Sequence, residues 1–237
     1  MTFWRRQALN ALLVGYFIFS LVACSSSNPT THVPPKASGT ASTQPTSTAL
    51  PSGTLLYQAD WSHGLSGWQG TQGWKVVQGQ LEADANGPAT ITIPYKPQVT
   101  DYAIEVRIQV VRLLRPLGGY FTLFVTNQPG KDGYQAGVNN LEGATSRPNG
   151  AHPQAQIFID PMSSMSLTSF RPVDYEPGFK LHTYRVEIQE NQVSYFIDGT
   201  LIATVSSTQT SSLSNAPIGL GCSLVILRVS SFRITAL

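Results

Sequence analysis

From Thr54 onward, apolar and polar residues alternate with period two, and no window carries a convincing helical period. Ala89, Ile91 and Ile93 fall on one face of a short strand. Ile104, Val106, Ile108 and Val110 follow, with Glu105, Arg107 and Gln109 on the opposite face. Phe121, Leu123 and Val125 alternate with Tyr120, Thr122 and Phe124, so both faces of that strand read as covered. Residues 156–159 form a further short strand. Between Thr183 and Val205 the pattern predicts a three-stranded meander. Its turns fall at Glu190-Asn191 and Asp198-Gly199, residues that tolerate the positive φ of hairpin turns. Two closing strands are predicted at 219–227 and 229–234, with Ile218, Leu220, Cys222 and Leu224 along one face. Many short strands separated by turn signals predict an all-β sandwich or jelly roll of antiparallel sheets.

Ahead of this domain the texture changes twice. Residues 25–53 are Ser, Thr, Pro, Ala and Gly with almost no charge and no aromatic side chain. Such a segment buries too little apolar surface to offset its ordering entropy, so 24–53 reads as a disordered tether. It would span about 30 Å as a coil and about 90 Å as polyproline II. Before it stand Arg5 and Arg6, an apolar run from Ala8 to Ala23, and the small residues of a secretory cut site. A plain cleaved signal and an uncleaved transmembrane anchor are the competing readings, and Cys24 itself speaks against the first. Ser20 within the run, and the lack of a basic stop-transfer cluster after it, speak against an anchor. With Cys24 directly after the cut, Leu21-Val22-Ala23-Cys24 resembles the lipobox of bacterial lipoproteins. That resemblance implies that the leader 1–23 is removed and that Cys24 carries a diacylglyceryl group, usually with an acylated amino terminus. Each buried CH₂ contributes roughly 0.8 kcal/mol, so such chains anchor a domain stably to the outer side of a bacterial membrane.

Composition narrows the partners. The chain of 237 residues has a net charge of +2 with 12% charged residues, which lacks the basic face of a nucleic-acid binder. With Cys24 lipidated, Cys222 has no intramolecular disulfide partner and is expected as a small buried hydrophobe. The domain, 54–237, is expected to act as a monomer.

Several stretches in order resemble the concanavalin A-like lectin/glucanase jelly roll, in its laminin-G-like and DUF1080-like branches. They are Tyr57-Gln58-Ala59-Asp60-Trp61 through Gly67-Trp68, the hairpin from Trp74 to Leu81, and Asp101-Tyr102 with Glu105 and Arg107. His182 to Val186, Tyr195 to Gly199, and Pro217-Ile218-Gly219-Leu220 with 229–234 complete the set. The resemblance implies two antiparallel sheets over residues 55–237. It leaves the function open, because the fold serves glucanases, lectins and adhesion modules alike.

A glucanase of this fold carries Glu and Asp at alternating positions of one strand, placing two carboxylates about the scissile bond. Here Glu105 is followed on its face by Arg107 and Gln109, and Glu187 by Gln189. No catalytic residue is assigned on that basis. His63, His152 and His182 are scattered without ligand spacing, and Asp60 and Asp132 are isolated, so no metal or cofactor is expected. For binding, Trp68 and Trp74 flank Gly70-Thr71-Gln72-Gly73, where aromatic faces beside amides and hydroxyls would suit sugar stacking. The same two side chains would equally well pack the core. Tyr134, Arg171 and Tyr175 are expected on loops, where ligand contacts concentrate. The sequence therefore points to a membrane-anchored, non-catalytic module for carbohydrate or cell-envelope glycan. A protein-interaction module and a glycoside hydrolase-like enzyme are the alternatives.

Overall fold

Two antiparallel sheets face each other in the computed structural model, which describes residues 50–115, 118–126, 133–141, 152–159, 172–206 and 213–237. Cys24, Arg171 and most of the 24–53 tether lie outside the described residues. The first sheet runs β13 (Thr200–Ser206), β12 (Gln192–Ile197), β11 (Leu181–Gln189), β6 (Tyr102–Leu113), β15 (Val225–Ala236), β4 (Gln80–Ala85) and β3 (Trp74–Val77). A short β1 (Leu55–Gln58) also pairs with β15. The second sheet runs β10 (Val173–Asp174), β9 (Gln154–Ile159), β8 (Tyr134–Leu141), β7 (Gly119–Val125), β14 (Ile218–Ser223), β5 (Ala89–Thr92) and β2 (Gln69–Gly70). Among the described residues there is no helix.

The period-two pattern works as expected: one parity of each strand fills the space between the sheets. Val106 and Ile108 of β6, Val186 and Ile188 of β11, Leu123 of β7 and Leu220 of β14 are all buried. The two sheets meet directly where Phe121 stands edge-on to Tyr184, ring centroids 5.0 Å apart. Cys222 is also fully buried, and burial pushes its thiol up to about 12.

Two expectations are corrected. The break between the closing strands falls at Leu224, not near Arg228, because Leu224 adopts φ +57° and turns the chain between β14 and β15. Tyr134 is not on a loop. It begins β8, is 1% exposed, and its ring belongs to the core, where burial holds the phenol well above its usual range.

An aromatic group closes one end of the sandwich. Trp68 lies 6.1 Å from Trp61 and stands edge-on to Phe232 at 6.0 Å, while Tyr57 stacks on Tyr95 at 5.3 Å. The outer face of the first sheet carries ion pairs instead. Glu82 joins Lys75 at 3.1 Å and Arg228 at 3.2 Å. Burial pushes the Glu82 carboxyl up, but its hydrogen bonds to Lys75 and Arg228 outweigh this and hold it below the usual value. A carboxyl lowered in the folded state contributes stability above its unfolded pKa of about 4.3, and that stability is lost as pH falls through the folded value. The thermal midpoint should therefore drop between pH 5 and pH 3 by about 2–4 °C more than in Glu82→Gln, measured by circular dichroism in parallel melts.

Candidate functional site

The outward face of the second sheet is built by the other parity of the same strands. Register places Thr92, Gly219, Phe124, Gln135 and Phe158 in one cross-strand row. The next row holds Thr90, Gly221, Thr122, Gly137 and Gln156. Beyond it Tyr120 pairs with Ser223, and Gln154 pairs with both Asn139 and Asp174. In this middle row, called the trough below, the glycines carry no side chain, and Thr122 and Gln156 are buried at 4% and 8% exposure. Phe124 and Phe158 rise on one side and Tyr120 on the other, all half-buried.

The glycines are required by the packing. A Cβ on Gly137 would run into the carbonyl of Phe121, and one on Gly219 into the carbonyl of Ile91 and the ring of Phe124. The strands therefore approach closely here, and the Phe124 ring lies over the space Gly219 leaves open. In these two rows every described side chain is uncharged. The arrangement offers amide and hydroxyl groups that donate and accept, flanked by aromatic faces. Among the described residues, these two rows hold no ionisable pair. Ligand sites of this kind combine apolar walls with a few placed polar groups.

None of the described residues singled out for ligand binding lies in the trough. Trp68 packs on Trp61 and Phe232 at the sandwich end. Trp74 sits in edge strand β3 against the core, its indole N–H buried without a partner. Tyr134 is inside, and Arg171 lies outside the described residues. Tyr175 packs on the core and stands edge-on to His182, ring centroids 6.0 Å apart. His182 in turn meets Asp198 Oδ2 through Nδ1 at 2.6 Å and the Pro177 carbonyl through Nε2 at 3.0 Å. Both ring nitrogens are thus engaged by acceptors, and the cluster clasps the loop before β11 to the β12–β13 turn. Burial pushes the Asp198 carboxyl up, but hydrogen bonds from His182 and the Thr183 N–H outweigh it and hold the group low. Trp68→Ala should lower stability by about 2–3 kcal/mol and the melting midpoint by about 5–10 °C, while leaving the trough intact.

Asp174 stands at the β9–β10 edge of the second sheet, where its Oδ1 accepts from Gln154 Nε2 at 3.5 Å, and the strand carboxylates Glu105 and Glu187 are bound up on the other sheet. Glu105 meets Arg233 at 2.6 Å and Arg185 at 3.5 Å, and Arg185 also holds Glu187 at 2.7 Å. Among the described residues, no group of three His, Cys, Asp or Glu side chains is placed to hold a metal ion. The trough residues do leave a signal in the sequence: the alternation of Tyr120, Thr122 and Phe124 opposite an apolar face. Gln156 is legible only as part of a strand.

A family model described as a 3-keto-alpha-glucoside-1,2-lyase-like domain matches residues 59–223. No curated protein matches by sequence. Among solved structures, the carbohydrate binding module CBM66 from Bacillus subtilis superposes with a TM-score of 0.52 at 15% identity, covering 72% of this chain and 96% of that one. A structure described under endo-acting O-glycanases of the human gut microbiota superposes at 0.58 with 11% identity, covering 78% and 100%. An immunostimulatory antigen and pseudo β-1,3-glucanase of Mycobacterium tuberculosis does so at 0.56 with 11% identity, covering 78% and 100%. At these identities the likeness is one of fold: a jelly-roll sandwich.

Proposed function

The chain belongs to the 3-keto-alpha-glucoside-1,2-lyase-like domain family, and from that premise we propose that it is a non-catalytic glycan-binding module, held at the outer side of a bacterial membrane by a lipidated Cys24. The observation that carries the binding reading is the uncharged trough of Thr122 and Gln156 between Phe124, Phe158 and Tyr120. A pyranose presents hydroxyls at its edges and C–H groups on its faces, so amides, hydroxyls and aromatic faces together complement it. Carbohydrate-related neighbours of the same fold support this reading. Membership of a lyase-like family favours an enzyme as the second reading. Such chemistry needs a proton-accepting group at the site, and the two trough rows supply none among the described residues. The anchor reading rests on the lipobox-like Leu21-Val22-Ala23-Cys24.

Glycan-array binding of the purified chain, followed by calorimetry and an assay for released sugar on each hit, tests the first part. A saturable hit without product supports the module; any product formed from a hit refutes the non-catalytic reading. Metabolic labelling with a clickable fatty acid tests the second part. Label should enter the wild type and be lost in Cys24→Ala.

A further inference from the structure

The first sheet carries a second concavity, made by a change of neighbours along β15. Strand β4 pairs with β15 from Val225 to Val229, and β1 takes over only near Phe232, where the Ala59 N–H donates to its carbonyl. Between them, Ser230 and Ser231 have no ladder partner on that side, and the β15–β6 register shifts at the same point. The gap opens a cleft of about 720 Å³, bounded by Gly79 at the β3–β4 turn, by the segment after β1, and by Glu105 and Arg107 of β6.

Its chemistry differs from that of the trough. Buried hydrogen-bonding groups are almost always partnered. Two in the walls of this cleft are not: Trp61 Nε1, on a side chain only 5% exposed, and Ser230 Oγ. Glu105 is already neutralised between Arg185 and Arg233. Arg107 is exposed and, among the described residues, has no carboxylate against it. The cleft therefore offers two charged groups to an occupant, the Arg107 guanidinium and the exposed Asp60 carboxylate, whose Oδ1 accepts from the Ser62 N–H, above a wall that holds the unpartnered Trp61 and Ser230 atoms. An occupant that brings an anionic group to Arg107 and hydroxyl donors to Asp60 complements both. A guanidinium matches a carboxylate in two parallel N–H···O bonds, and sugar hydroxyls can donate to the Asp60 carboxylate. The volume is within the range of small-molecule sites and exceeds a single hexose.

We propose that this cleft is a binding site for an acidic sugar, a hexuronate residue whose carboxylate pairs with Arg107 and whose hydroxyls donate to Asp60, beside the wall formed by Trp61 and Ser230. The site lies on the opposite sheet from the uncharged trough and does not depend on the trough reading. The test is a titration of the full chain in detergent, followed through ¹⁵N-indole resonances, with the Trp61 signal identified by Trp61→Phe. D-glucuronate is added at constant ionic strength, with D-glucose and acetate in parallel. The Trp61 indole signal should shift saturably with glucuronate and much less with glucose or acetate. Arg107→Gln should weaken glucuronate about tenfold, the scale of losing a hydrogen-bonded charge pair. Asp60→Ala should weaken it further, and Leu201→Ala, at an exposed position of β13, should leave the response unchanged. A Trp61 signal that stays put, an equal response to acetate or glucose, or an unaltered affinity in Arg107→Gln would each overturn the assignment.

Discussion

Replacing Phe124 and Phe158 by alanine together should abolish measurable glycan binding while the fold stays intact. Both rings stand on the outward face of the second sheet, in the row that flanks Thr122 and Gln156. Neither contributes to the packing between the sheets, which Leu123, Val125 and Ile157 supply from the opposite parity. Truncating an aromatic anchor at a binding surface commonly costs more than 1 kcal/mol, so each single variant should weaken binding about tenfold. The double variant should lose at least as much again. Calorimetry against an array-identified glycan reads the effect, and an unchanged melting midpoint shows that the sheet survives. Thr122→Val is the subtler companion: it removes a hydroxyl while keeping the shape, and should reduce binding with little change in stability. If Phe124→Ala with Phe158→Ala binds as the wild type does, the trough is not the glycan site. Trp68→Ala then separates the two locations, since Trp68 belongs to the aromatic end cluster and not to this face.

Gly137→Ala should prevent the domain from folding. The new Cβ would overlap the Phe121 carbonyl and come within 2.7 Å of Thr122 Cα, both of them backbone that cannot rotate aside. Relief requires β7 and β8 to separate in the middle of the sheet. The cost belongs with the exceptional substitutions above about 4 kcal/mol, against a total stability of about 5–15 kcal/mol. Soluble yield and far-ultraviolet circular dichroism report the outcome. Gly87→Ala is the control, because nothing lies within 4 Å of where its methyl group would stand and its φ is not in the left-handed region. That variant should fold as the wild type does, which separates the effect of close strand approach from the general effect of replacing a glycine.

The same close approach explains what cannot be read along the chain. Gln135-Ala136-Gly137-Val138-Asn139-Asn140 is poor in β-formers. Yet β8 runs through to Leu141, because Gly137 lets β7 come near and Tyr134, Ala136 and Val138 fill the core. Tyr134 illustrates the limit of local reading: a tyrosine after a Gly-rich turn has the same sequence signature whether it caps a loop or begins a buried strand. Trp68 and Trp74 show a related ambiguity. Their neighbours Gly70 and Gly73 suggest an open surface, but Gly70 is needed where β2 meets the Thr90 carbonyl and Ile91 on β5.

Alternation by itself determined the class of fold, the strands β5, β6 and β7, and the β11–β12–β13 meander with its turns at Glu190 and Asp198, both of which adopt positive φ. Those features are local: side-chain parity and turn stereochemistry are properties of neighbouring residues, and burying one face of each strand forces them together. Only the tertiary structure decided which polar parity becomes a site. Thr122 and Gln156 are far apart in sequence and become neighbours of Gly137 through register alone. The cleft beside Trp61 likewise exists because β15 exchanges β4 for β1 across Ser230 and Ser231. Both depend on which strands pair and where their ladders stop, and that choice is made by the packing of the whole sandwich.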